Sequence, residues 1–121
     1  MDKFGVLYAS FPEELRGKIR GGVIRHKGHI LVCIDNTQTK SDQEYTLRHE
    51  LAHIALNHLD TPFPGDGVVF DSGFYRSNSQ EAEADKYAEQ MTDANLSELL
   101  QNAVWIKHIG EEESMSVFAQ I

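Results

Sequence analysis

His49 and His53 stand four residues apart, with Glu50 beside the first, and no other trio in the sequence has so direct a chemical reading. An α-helix turns about 100° per residue, so positions four apart differ by only about 40° and both imidazoles can reach one metal ion. Zinc accepts nitrogen ligands at about 2.0–2.1 Å, and a catalytic site combines three protein ligands with water in the fourth position. Glu50 is then within reach of that water. It can act as general base and afterwards carry the proton to a leaving amine.

The third ligand must come from elsewhere in the chain. In Glu81-Ala82-Glu83-Ala84-Asp85, Glu81 shares a helix face with Ala84, Asp85 and Ala88, the small-residue side suited to packing against another helix. Glu81 is therefore the expected ligand, with Glu83 as the fallback. Asp85, one turn on, can accept a hydrogen bond from the outer ring nitrogen of a liganding histidine, which fixes its tautomer. A metzincin arrangement would need glycine at Leu56 and histidine at Leu59, and neither is present. His58 lies about 900° of helical rotation beyond His49, on the opposite face, and reads as a solvated or helix-terminal residue. His26 and His29 read as turn residues, and His108 as lying near the end of a third helix. Tyr75 is the candidate stabiliser of the transition state, with Arg76 beside it as another by position; aromatic packing and surface charge are their plainer roles. Tyr45, one turn before His49, packs beside the site in this reading. Trp105 and Phe118 read as core.

The elements that must position these residues are also legible. Ser41-Asp42-Gln43-Glu44 has capping-box spacing, and a helix from about Asp42 to about Leu59 follows. Its apolar positions, including Leu47, Leu51, Ile54 and Leu59, recur at steps of three and four. Asn78 or Ser79 caps a second helix running to about Met91. Asn95-x-x-Glu98 opens a third, whose apolar face continues through Ala103 and Val104 until Gly110 ends it. Upstream, Val23-Ile24-Arg25 and Ile30-Leu31-Val32-Cys33-Ile34 form a hairpin about His26-Lys27-Gly28-His29. Pro12 sits where a short helix over Phe11–Arg16 could start. Residues 60–77 form a long loop, with room for a short strand at Val68-Val69-Phe70. Glu111-Glu112-Glu113 caps a loose tail over 111–121.

Composition narrows the classes. The 121 residues suit a single domain, 40% are hydrophobic and 25% charged, and no apolar run nears the roughly 18 residues that would span a bilayer. The opening residues carry no secretory pattern, so cytoplasmic residence without a membrane partner is the expectation. A formal charge of −8 disfavours direct nucleic-acid binding, which depends on clustered lysine and arginine. The basic stretch from Arg16 to Lys27 is broken by glycines and apolar residues and reads as solvated surface. Cys33, the sole cysteine, lies in an apolar run and reads as a small buried hydrophobe.

Three segments together carry a family resemblance: Ile34-Asp35-Asn36, the run from Tyr45 through His49-Glu50-Leu51-Ala52-His53 to His58, and Glu81-Ala82-Glu83-Ala84-Asp85-Lys86-Tyr87-Ala88. Over about 22–91 the chain resembles the ImmA/IrrE metallopeptidases. The resemblance implies an α+β fold with a small zincin-like, gluzincin-type core. In it a short hairpin or sheet packs on three or more helices, the His-Glu-x-x-His helix lies at the centre, and a second helix supplies the glutamate ligand. It also implies a zinc peptidase of bacteria, phages or mobile elements that makes a limited cut in a specific protein, such as a helix-turn-helix repressor encoded nearby. Met91-Thr92-Asp93-Ala94 departs from the family's apolar ending of the second helix, so the exit of that helix is expected to differ. The reading of another class is a metal-binding interaction or toxin-antitoxin module that cleaves nothing. In a third, His49 and His53 are ordinary helix residues of an acidic interaction protein.

Overall fold

The computed structural model of the chain describes residues 3–16, 19–26, 29–56, 58, 67–70 and 78–119. In chain order the elements are β1 (Phe4–Ala9), β2 (Gly21–His26), β3 (His29–Asp35), α1 (Lys40–Ala55), β4 (Gly67–Phe70), α2 (Asn78–Gln90), α3 (Asp93–Leu100), β5 (Ala103–His108) and α4 (Glu111–Ala119). The strands form one mixed sheet in the order β4-β2-β3-β1-β5. β1 runs parallel to both β3 and β5, whereas β2 is antiparallel to β3 and β4. The architecture is α+β, of the small zincin-like kind.

Strand β1 is an unbroken apolar run buried between two neighbours, the pattern of a central strand covered on both faces. The sequence reading assigns it no element, although that run is its signature. On one face of the sheet Phe4, Val6, Val32 and Ile34 pack with Leu47, Leu51 and Ile54 of α1. On the other, Leu7, Ala9, Phe11 and Cys33 form a second cluster. Each large aliphatic chain buried in this way contributes about 1.5–3 kcal/mol, so the sheet holds α1 firmly. The buried Cys33 thiol agrees with its reading as a small hydrophobe.

The link from β3 into α1 is built on Asp35. Its buried carboxylate accepts hydrogen bonds from the Phe11 and Thr37 amides and from the Thr37 hydroxyl. This knot brings the chain out of the sheet and into the helix. Thr39, not Ser41, caps α1, its hydroxyl accepting from the Asp42 amide at 3.1 Å. The helix ends at Ala55, four residues earlier than its apolar period implies. At the other end of α2, Arg48 of α1 donates to the Met91 carbonyl and pairs with Asp93 at 2.7 Å, tying the exit of α2 and the start of α3 to the central helix.

Several expectations are corrected. Phe11–Arg16 is a turn region whose Leu15 and Arg16 amides donate to the Pro12 carbonyl, not a helix. α3 is capped by Thr92 in a reciprocal box with Asn95, and it stops at Leu100 rather than near Gly110. The β-branched and aromatic run from Ala103 then pairs along β1. His108 accordingly ends a strand, stacked on Tyr8 with ring centroids 4.4 Å apart. Trp105 is 38% exposed rather than core, its ring lying over Gly5, where a side chain would collide with it. The acidic triplet opens helix α4 instead of a loose tail, and Ser114 is buried where its hydroxyl accepts from the Ser10 amide and donates to the Gly110 carbonyl. The side chain of Phe118 lies outside the described residues. Among the described residues no helix is long and apolar enough to cross a membrane.

Candidate metal centre

Leu47, Leu51 and Ile54 hold one side of α1 on the sheet, which leaves His49 and His53 facing α2. Both imidazoles are buried, and their Nε2 atoms lie 3.1 Å apart with the rings nearly perpendicular. Helix α2 packs its small residues Ala84 and Ala88 inward, both buried, and this close approach delivers Glu81. One Glu81 oxygen lies 3.1 Å from His49 Nε2 and the other 3.3 Å from His53 Nε2. Glu83, the fallback, points elsewhere: its carboxylate is 3.5 Å from His58 Nε2.

Those separations bear on whether an ion fits. Ligands about 2.0–2.1 Å from a tetrahedral zinc stand roughly 3.3–3.4 Å from one another, close to the spacing observed here. Two imidazole nitrogens and a carboxylate are also a donor set that zinc accepts. His49, Glu50 and His53 together offer ligand-type atoms within 4.8 Å of one another. Glu81 stands beside this group, its carboxylate oxygens 3.1 and 3.3 Å from the two Nε2 atoms. The Glu50 stem lies toward the sheet: a methyl group added at Gly21 would stand 3.4 Å from Glu50 Cγ and 2.5 Å from Thr46 Cγ2. The missing side chain at Gly21 is what lets α1 lie so close. In the sequence the glycines at 21 and 22 only interrupt the basic stretch from Arg16 to Lys27, and spacing gives no sign of this contact.

The outer nitrogen of His49 is held from α2. Asp85 Oδ1 lies 2.8 Å from His49 Nδ1, an ion-pair contact, and accepts a hydrogen bond from the Tyr45 hydroxyl at 3.0 Å. The other ring nitrogen of His49, Nε2, faces Glu81 and His53. His58 corrects the sequence reading. It is 6% exposed, and its Nδ1 lies 2.9 Å from His53 Nδ1. The opposite-face argument assumed a helix that continues to Leu59; α1 ends at Ala55, and after the cap at Leu56 the chain brings His58 back beneath His53. Tyr75 and Arg76 lie outside the described residues.

Cys33 lies on the face of the sheet away from α1, in the cluster with Leu7, Ala9 and Phe11. Burial, reinforced by the Glu50 carboxylate, pushes its thiol up to about 12. It is inert packing rather than a nucleophile.

A helix carrying two imidazoles and a glutamate, crossed by a second helix that brings in another carboxylate, defines the zincin-like class of α+β domain. The family model for the IrrE N-terminal-like domain, Peptidase_M78, matches residues 6–119, and the chain belongs to that family. It is thereby a peptidase of the metal-dependent kind. Comparison with curated proteins and with solved structures finds no match.

Proposed function

We propose that the protein is a zinc-dependent endopeptidase that makes a limited cut in a specific protein substrate, with Glu50 as general base and His49, His53 and Glu81 as the ligands. The observation that carries this reading is the meeting of His49 Nε2, His53 Nε2 and the Glu81 carboxylate at 3.1–3.3 Å beside a buried glutamate. Held by His49, His53 and Glu81, zinc would supply a Lewis acid able to polarise the scissile carbonyl and acidify water. Glu50 takes a proton from the attacking water as its oxygen bonds to the carbonyl carbon. It then returns that proton to the amide nitrogen as the C–N bond breaks, leaving a carboxylate and an amine. Asp85, 2.8 Å from His49 Nδ1, favours by its charge the tautomer this chemistry requires. A helix-turn-helix repressor is the substrate class to which the family resemblance points, and cytoplasmic action suits such a target.

The test compares wild type with Glu50→Gln, assaying zinc content and cleavage of a repressor encoded beside the gene. Zinc in both proteins with cleavage by wild type alone is the expected result, the variant being slower by about 10²–10⁴-fold. Equal zinc and no cleavage by either protein removes the repressor as substrate and favours a binding module.

A further inference from the structure

His53 and His58 meet through their Nδ1 atoms at 2.9 Å, and the far nitrogen of His58 faces the Glu83 carboxylate at 3.5 Å. We infer that His58 is a positioning residue for the metal centre: it accepts the Nδ1 proton of His53 and so fixes His53 with its Nε2 lone pair aimed at the ion. The inference rests on the metal-site reading above and deepens it.

The argument begins with proton placement. A neutral imidazole carries one proton, so only one of two facing Nδ1 atoms can donate while the other accepts. Two arrangements satisfy the His53–His58 pair. If His58 donates from Nδ1, His53 must carry its own proton on Nε2, pointing at His49 Nε2 and Glu81, where a ligand lone pair is needed. If His53 donates, its Nε2 lone pair joins those of His49 and Glu81, and His58 carries its proton on Nε2. Glu83 selects the second arrangement. Its carboxylate, 3.5 Å from His58 Nε2, favours a proton on that nitrogen and leaves Nδ1 as the acceptor. The chain Glu83, His58, His53 therefore has one polarity that suits its outer carboxylate and the metal centre together.

Burial makes this bond matter. Both rings are shielded from water, so a His53 Nδ1–H that lost His58 would be left without a solvent partner. Its proton would then move to Nε2 in part of the population and obstruct the site. His58 cannot itself be a ligand of the same ion, because the two rings meet on the side of His53 away from Nε2. The distinction from His49 is chemical as well as spatial. His49 has a half-exposed carboxylate of α2 beside its Nδ1, and His53 a buried imidazole from just beyond the end of its own helix.

Zinc affinity measured by chelator competition tests the idea, with nitrogen NMR of the His53 ring in the metal-free protein as the second readout. His58→Leu should lower zinc affinity roughly 10–100-fold, as for other partners behind a ligand. It should also leave His53 as a mixture of tautomers. His58→Asn, whose side-chain oxygen can accept near the place of Nδ1, should recover most of the affinity and restore the Nδ1–H tautomer. Wild-type affinity in His58→Leu, or an asparagine variant as weak as the leucine one, overturns the inference while leaving the peptidase reading intact. Should the leucine variant fail to fold, the wild-type protein still decides: a His53 ring protonated on Nε2 refutes the assignment. Wild-type protein that holds no zinc defeats the metal-site reading and this one together.

Discussion

Toward α2, helix α1 presents ring nitrogens to carboxylates; toward the sheet it presents a glutamate stem and a threonine methyl to the bare backbone of Gly21. The first side is held by polar contacts between ring nitrogens and carboxylate oxygens at 2.8–3.3 Å. The second is held by shape. Thr46 and Glu50 fit because position 21 has no side chain, and Leu51 and Ile54 fill the space beside them. The contrast teaches that electronics and placement are supplied from different directions. Changes on the α2 side should alter metal affinity in a protein that still folds, whereas changes on the sheet side should alter stability first.

Replacement of Glu81 by alanine gives the largest effect expected on the α2 side. Zinc affinity should fall by more than the roughly 10–100-fold typical of an outer partner, while Glu83→Ala should fall no further than that range. Chelator competition on both variants checks the ranking, and the reverse order would move the ligand to Glu83. Asp85→Ala should lose about 10–100-fold in zinc affinity. Tyr45→Phe, which removes one hydrogen bond to Asp85, should lose about fivefold or less. A Tyr45→Phe loss as large as that of Asp85→Ala would mean that the tyrosine does more than orient the carboxylate.

On the sheet side, Gly21→Ala should cost about 1–3 kcal/mol of folding stability, because the added methyl meets Thr46 and the Cys33 carbonyl as well as Glu50. Urea unfolding measures it. A variant that unfolds at the wild-type midpoint yet binds zinc poorly would erase the division between the two sides. The smallest effect concerns Cys33. Its thiol ionises near pH 9 in the unfolded chain and is pushed up to about 12 in the folded one. This contribution is therefore fully present below pH 9 and is lost as the pH rises from about 9 to 12. Alkylation at pH 8 should accordingly be slow in folded protein and fast after denaturation; rapid modification of the folded protein would show that the face of the sheet away from α1 is open.

Much of the site could be read in one dimension because helical geometry is local. Four-residue spacing places His49 above His53, and the alanines at 84 and 88 identify the face of α2 that approaches, with Glu81 and Asp85 upon it. His58 escaped the same logic. A periodic argument holds only while the helix lasts, and nothing in the apolar pattern announced a stop at Ala55. β5 failed for a related reason: Ala103 and Val104 extend the helical period of α3 by coincidence, and only pairing with β1 shows that they are extended.

The amino-acid order by itself determined the chemistry on offer: two imidazoles and a glutamate on one helix, two further carboxylates on a face of another, and the apolar runs able to bury them. Tertiary structure alone decided which carboxylate meets which nitrogen, that Gly21 admits α1 to the sheet, and that His58 returns to His53. Sequence periodicity fixes angles within an element, whereas distances between elements depend on where each begins, ends and packs.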